Sequence, residues 1–360
     1  MESAATPRSK LPDVGTTIFT VIGELAAQHQ ALNLSQGAPN FACDPQLVDA
    51  AAAAMRAGHN QYASMPGLAA LRAGITDKFS RLTGARYSAD DEVTVVGSAS
   101  QGLYAAISAL VHPGDEVIYF EPAFDSYAPI VRLQGAVPVA IKLAPDGFRV
   151  DWDQVAAALT PRSRMIIVNT PHNPSATIFS AEDLQRLAAV TRGTGIVILS
   201  DEVYEHVVFD GAVHQSMARS PELAARSVIV SSFGKSFHVT GWRVGYCLAP
   251  AALMEEIRKV HQFMMFTADT PMQYAFAQTL SPNQKGSTSG RPRPALATSR
   301  ILEPGRARMS ARMGRNGPLR RTISVRISTD SHTGADPVGS AYAVSAELIG
   351  EIRLLSFKSA

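Results

Sequence analysis

The 360-residue chain is 46% hydrophobic and 18% charged, and its 33 basic against 31 acidic side chains leave a formal net charge of +2. This is ordinary globular composition, with length for one large and one small domain and no overall pull toward nucleic acid or an anionic membrane. No run reaches the ~20 apolar residues that cross a bilayer, and Met1 to Gly15 lacks the apolar stretch of a signal peptide, so a soluble cytoplasmic protein is expected. The two cysteines, Cys43 and Cys247, lie far apart in no metal-binding spacing and read as free thiols of a reducing compartment.

Met1 to about Asp13 is polar and proline-containing and reads as a mobile arm. Thr17 to Gln30 has helical apolar spacing, with Ile18, Val21, Ile22 and Leu25 on one face. In Leu34-Ser35-Gln36-Gly37, the glycine either lets a backbone N–H approach a ligand or serves an interdomain turn. Pro45 to Ala57 is an alanine-rich helix stopped at Gly58. Tyr62 lies in the loop from His59 to Gly67, and Leu68 to Thr83 is the next helix.

From residue 92 the pattern changes. Glu92 to Val96 is a strand, Gly97-Ser98-Ala99-Ser100-Gln101-Gly102 is a small-residue turn, and Leu103 to Leu110 is helical. A helix start after such a turn offers unpaired N–H groups and a favourable dipole to an anion, or simply caps the helix. The strand Glu116 to Phe120 exits toward Phe124, which can stack on a flat heterocycle or pack in the core. Ala136 to Ile141 reads as a strand and Asp151 to Leu159 as a helix. The buried strand Arg164 to Val168 runs into Asn169-Thr170-Pro171-His172-Asn173-Pro174, whose prolines make a rigid loop that aims Asn173 at a ligand or lets it satisfy its own turn.

After the helix Ala181 to Thr191, the strand Gly195 to Ser200 runs into Asp201, with Tyr204 three residues on. A carboxylate there needs a cationic partner, unless it only caps the following helix. Ser227 to Val230 then drives into Ser231-Ser232-Phe233-Gly234-Lys235, with Arg243 eight residues beyond the lysine. A lysine in a dry, polar-lined site loses proton affinity and becomes a nucleophile for an aldehyde, and arginine suits a phosphate. Together they suggest pyridoxal 5′-phosphate. Trp242 to Leu248 reads as a strand, Ala251 to Phe266 as a helix, and a further helix ends at Leu280. Strand and helix in alternation from Glu92 to Leu248 predict an α/β fold with a mainly parallel sheet, with the candidates after the carboxyl ends of its strands.

These motifs, with Ser200-Asp201-Glu202-Val203-Tyr204 and Gly241-Trp242-Arg243-Val244-Gly245, resemble the class I/II aminotransferases of pyridoxal-phosphate fold type I, nearest the methionine and kynurenine (glutamine) branch. The resemblance covers about residues 15 to 280. It implies an N-terminal arm and small-domain portion over 1–40, a large cofactor-binding domain over 41–280, and an atypical segment over 281–360. It implies transamination between an L-amino acid (methionine, aromatic or glutamine-like) and a 2-oxo acid through a Schiff base on Lys235. Asp201 would pair with the pyridine nitrogen, Tyr204 and Asn173 would hold the ring O3′, and Phe124 would stack on the ring. Ser98, Ala99, Ser100, Ser232 and Arg243 would hold the phosphate, and Gly37 and Asn173 would face the substrate. Tyr62, with Phe266, would come from the second subunit of a homodimer. A C–S lyase of the same fold would use the same Lys235, Asp201 and Tyr204.

The pattern stops after Leu280. Ser281 to about Ser340 is rich in Arg, Ser, Gly and Pro, has little apolar periodicity, and reads as disordered. The family's small C-terminal domain is incomplete or aberrant here. Its substrate-carboxylate arginine is not recognisable; Arg326 is a superficial match only. A catalytically impaired protein of this fold is therefore a further alternative. Out-of-frame translation from near residue 281 would explain the change in composition, and a basic tail for nucleic acid is the lesser reading. The alternation from Ala341 to Leu355 suits a short helix.

Overall fold

The structure, a computed structural model, describes residues 8–31, 33, 37, 42–281, 322–325 and 342–345. The first part of the N-terminal arm, Leu34-Ser35-Gln36 and most of the arginine-rich segment, Arg326 included, lie outside the described residues. The chain divides into two compact units, Met1–Gly15 with Ala38–Thr298 and Thr16–Gly37 with Ser299–Ala360.

In the second unit, α1 (Ile18–Gln28) is capped by the Thr17 side chain, which accepts from the Thr20 N–H. The first unit carries α2 (Pro45–Arg56), α3 (Ala69–Thr83), β1 (Val93–Val96), α4 (Ala99–Leu110), β2 (Glu116–Glu121), α5 (Tyr127–Leu133), β3 (Val137–Lys142), α6 (Trp152–Ala158) and β4 (Ser163–Asn169). Then follow α7 (Ala181–Thr191), β5 (Val197–Asp201), α8 (Pro221–Ala224), β6 (Ser227–Ser232), α9 (Phe233–Ser236), β7 (Gly245–Leu248), α10 (Ala251–Met264) and α11 (Thr270–Leu280). The second unit also holds β8 (Thr322–Val325) and β9 (Tyr342–Ser345), paired antiparallel. The short helix read over Ala341 to Leu355 is corrected at Tyr342–Ser345, which is a strand paired with β8.

Seven strands of the first unit form one sheet in the order β1-β7-β6-β5-β4-β2-β3. β7 runs antiparallel to both its neighbours, and the other pairs are parallel, so every strand except β7 ends at the same edge. Side chains alternate between two cores as a pleated strand requires. Ile118, Ile166, Ile198, Ile229 and Tyr246 face α2, α3, α6, α7 and α11. Val117, Ile167, Leu199, Val230 and Cys247 face α4, α5 and α10. Helices on both faces explain why the central strands are apolar throughout.

Several boundaries differ from the sequence reading, and some short helices are new to it. α4 begins at Ala99, because the Ser98 side chain accepts from the Gln101 N–H at 3.1 Å and turns the small-residue segment into the first helical turn. α5, α8 and α9 are added elements. Trp242 lies in a 3-10 turn before β7, with Arg243 in the left-handed region at φ +53°. α10 stops at Met264, and Phe266 has φ +69°. No helix among the described residues is long and apolar enough to cross a membrane.

A buried ion pair ties α3 to the sheet. Lys78 Nζ donates to Glu205 Oε1 at 2.5 Å and to the Tyr246 hydroxyl at 2.6 Å. Tyr246 and Ser231 donate to the same carboxylate oxygen at 2.9 and 2.7 Å. Burial alone would raise the Glu205 carboxyl, but the Lys78 ammonium, His206 and the Ser231 hydroxyl bring it down to about 2. A depressed carboxyl stabilises the fold above its ordinary value of 4.5 and loses that contribution as pH falls toward 2. Glu205→Gln, which leaves a buried ammonium unpaired, should therefore cost about 3 kcal/mol at neutral pH. The gap from the parent should close as pH approaches 2; denaturant unfolding across pH measures it, and a pH-independent gap would rule out this origin.

Candidate active site

The common edge of the parallel strands collects most of the chemically able side chains. Asp201 ends β5 and is 3% exposed. Its Oδ2 accepts from the Tyr127 hydroxyl at 2.7 Å and its Oδ1 from the Val203 N–H at 3.2 Å. Burial pushes its carboxyl up to about 6, opposed by those two donors and by the Lys235 charge.

Lys235 follows the neighbouring strand. β6 ends at Ser232, whose Oγ accepts from the Gly234 N–H at 3.0 Å and caps the single turn of α9. That turn lifts Lys235 above the end of the sheet. Burial lowers its ammonium below the usual lysine value, the Arg243 charge lowers it further, and Asp201 opposes both. Its Nζ lies 5.6 Å from the centroid of the Tyr204 ring. The Tyr204 phenol is pushed up to about 12, first by burial and then by Asp201, so it stays protonated. Arg243 is exposed and donates to the Thr240 carbonyl at 3.1 Å.

β4 contributes the Asn169–Asn173 loop. Asn169 Nδ2 donates to the Asp201 carbonyl at 2.9 Å, while its Oδ1 accepts from the Asn173 N–H at 2.7 Å. Asn169 thus joins Asp201, at the end of β5, to Asn173, in the loop after β4. Phe124, beyond β2, is half-buried and meets the Tyr127 ring edge-on at 5.7 Å. After β1, the Ala99 and Ser100 N–H groups belong to the open first turn of α4. A Cβ at Gly245 would lie 2.8 Å from the Ala99 nitrogen, so β7 reaches this turn only as glycine.

Ser98, Ala99, Ser100, Phe124, Asn173, Asp201, Tyr204, Ser232, Lys235 and Arg243 therefore all stand at one edge of one sheet. One candidate does not join them within the first unit. Tyr62 is 83% exposed and packs edge-on against Phe266 at 5.6 Å. Its loop is held by Ala63 N–H donating to Thr270 and Leu68 N–H donating to the buried Gln273. Gly37 belongs to the second unit. Sequence reasoning passed over Tyr127 and the role of Asn169. Neither carried a signal in the sequence: Asn169 meets Asp201 only through the strand register, and Tyr127 lies in an aperiodic segment.

The donor set fits pyridoxal phosphate. A buried carboxylate suits a cationic ring nitrogen, a half-buried amine suits an aldehyde, an aromatic face suits the ring, and a helix start with an arginine suits the phosphate.

The family model for aminotransferase class I and II matches residues 29–300. The methionine aminotransferase of Escherichia coli (strain K12) is 51% identical over 274 residues, 76% of this chain and 71% of that protein. The kynurenine–oxoglutarate transaminase of Dictyostelium discoideum is 34% identical over 298 residues, 78% of this chain and 68% of that protein. Among solved structures, Escherichia coli YbdL, for which a methionine aminotransferase function is reported, superposes with a TM-score of 0.78 at 47% identity, covering 83% of this chain and 76% of that one. The N-succinyldiaminopimelate aminotransferase of Mycobacterium tuberculosis gives 0.77 at 36% identity, with the same coverage.

The Asp201 carboxyl is raised from 3.8, so its ionisation opposes folding; the cost is absent below that value and complete above about 6. Asp201→Asn should thus stabilise the chain, freed of cofactor, by about 3 kcal/mol above pH 6 and leave it unchanged below pH 4. Thermal or urea unfolding of both proteins across this range gives the answer, and equal curves at pH 7 would contradict the burial argument.

Proposed function

The chain belongs to the class I and II aminotransferases, enzymes dependent on pyridoxal phosphate, and on that premise we propose that it transfers an amino group from methionine, or a similar aromatic or glutamine-like L-amino acid, to a 2-oxo acid. The observation that carries this reading is a placement on neighbouring strands: Lys235, just beyond β6, and Asp201, at the end of β5, stand at the edge where the parallel strands end. The methionine activity of the Escherichia coli relative supports the choice of donor.

When bound, the cofactor supplies an aldehyde and an electron-withdrawing ring. The residues divide the remaining work. Lys235 Nζ, with its proton affinity lowered by burial and by Arg243, is the amine that would hold the aldehyde and, when free, would take the substrate Cα proton. Asp201 holds the proton on the ring nitrogen as its counter-charge. Tyr204 and Asn173 would hold the ring oxygen, and Phe124 would cover the ring. The open N–H groups at Ala99 and Ser100, with Ser98, Ser232 and Arg243, take the phosphate. Gly37 would face the substrate carboxylate. The named relatives are transaminases, which supports transfer rather than C–S bond cleavage.

We further read the working form as a homodimer in which Tyr62 and Phe266 serve the second subunit's site. Tyr62, Phe263, Met265 and Phe266 are 83%, 87%, 42% and 40% exposed, an apolar edge that a second copy would cover.

Two measurements test these assignments. Lys235→Ala should lower transamination of methionine with a 2-oxo acid by at least about 10³-fold and abolish the absorbance of covalently held cofactor; a variant that keeps full turnover would remove Lys235 from its role. Phe263→Glu should shift the protein from dimer to monomer in sedimentation velocity at micromolar concentration, whereas an unshifted dimer would place the interface elsewhere.

A further inference from the structure

We propose that Tyr127 is a positioning residue: its hydroxyl holds the Asp201 carboxylate in place and ionised for a cationic ring nitrogen, while its ring braces Phe124 from the side. The inference rests on the reading of Asp201 and Phe124 given under Proposed function, and adds a residue that acts through those two.

The geometry carries it. Tyr127 and Asp201 are each 3% exposed, and their hydrogen bond is 2.7 Å long. Tyr127 opens α5, and its N–H donates to the Phe124 carbonyl at 3.3 Å, so backbone and ring tie both aromatics into one turn. Their rings meet at 78°, the edge-to-face arrangement that aromatic pairs favour. From the opposite side, the Val203 N–H holds the other carboxylate oxygen. A donor on each oxygen, from two separate elements, fixes both the position and the plane of the carboxylate.

Tyr127 also has the right chemistry. Burial, then the Asp201 charge, keeps its phenol protonated well above the ordinary value of 10, so it donates at every working pH. The other groups that act on Asp201 are Glu202 beside it, which disfavours its charge, and Lys235, which favours it; Tyr204 faces both Asp201 and Tyr127. Of these, Tyr127 is the one joined to the carboxylate by a side-chain hydrogen bond. Removing a hydrogen bond to a buried charged group weakens what that group holds on the order of tenfold or more.

The test is a double-mutant cycle on the full chain loaded with pyridoxal phosphate, with cofactor dissociation followed by absorbance. Tyr127→Phe keeps the ring against Phe124 and removes only the hydroxyl. It should weaken cofactor binding about tenfold. It should also raise by about one unit the titration of the Asp201 carboxyl, read by difference infrared spectroscopy with Asp201→Asn for assignment. kcat should fall with KM for the amino acid little changed. In the Asp201→Asn background the Tyr127→Phe effect should vanish, which a merely structural role would not produce. An equal loss in both backgrounds, or no loss in either, overturns the proposal. If Asp201→Asn alone leaves cofactor binding unchanged, the reading of Asp201 fails instead. Should Tyr127→Phe fail to fold, Tyr127→His, a flat ring with a donor, takes its place; retained binding then supports the proposal and a tenfold loss opposes it.

Discussion

A carboxylate with almost no access to water, at the end of a parallel strand, is the constraint to which the rest of this site answers. Asp201 can be charged there only if neighbouring groups replace solvent. Tyr127 and the Val203 N–H supply two donors, Asn169 fixes the backbone beside it, and Lys235 on the next strand supplies opposite charge. These supports leave the carboxyl still raised to about 6. A protonated pyridine ring would complete the set, and so the site suits this cofactor rather than a neutral heterocycle.

The opposite side of the same turn solves a related problem differently. Glu202 and Glu205 flank Tyr204, and neither is exposed to water. Glu202 accepts from Ser200 at 2.9 Å and from the Met217 N–H at 3.0 Å, and lies 2.8 Å from His214 Nε2. Glu205 is neutralised by Lys78 from α3. The segment after β5 is thus bolted to helix and sheet beneath it, while Asp201 and Tyr204 stand at the edge where the parallel strands end. Rigid support under a catalytic turn keeps groups from relaxing when charge moves, which electrostatic catalysis needs.

Much of this was legible in the chain. Apolar runs from Val93 to Leu248 marked the buried strands, because helices cover both faces of a parallel sheet and no solvated face remains. The motifs at Asn173, Asp201 and Lys235 stood out because each follows such a run, and strands of one direction must end at one edge. The start of α4 was misplaced because a serine cap looks like a loop in sequence. Tyr127 went unread because its partner lies 74 residues away and its own segment has no period.

The sequence by itself determined the fold class, the order of its elements, and the residue types that could serve an aldehyde, a ring and a phosphate, since periodicity and strand-end chemistry are local properties. The tertiary structure alone decided that β7 runs against its neighbours, that Lys78 answers Glu205, and that Tyr127 and Asn169 hold Asp201. Each of these joins residues far apart in the chain. Such pairings follow from how strands stack and which side chains lose water together, and no local pattern encodes them.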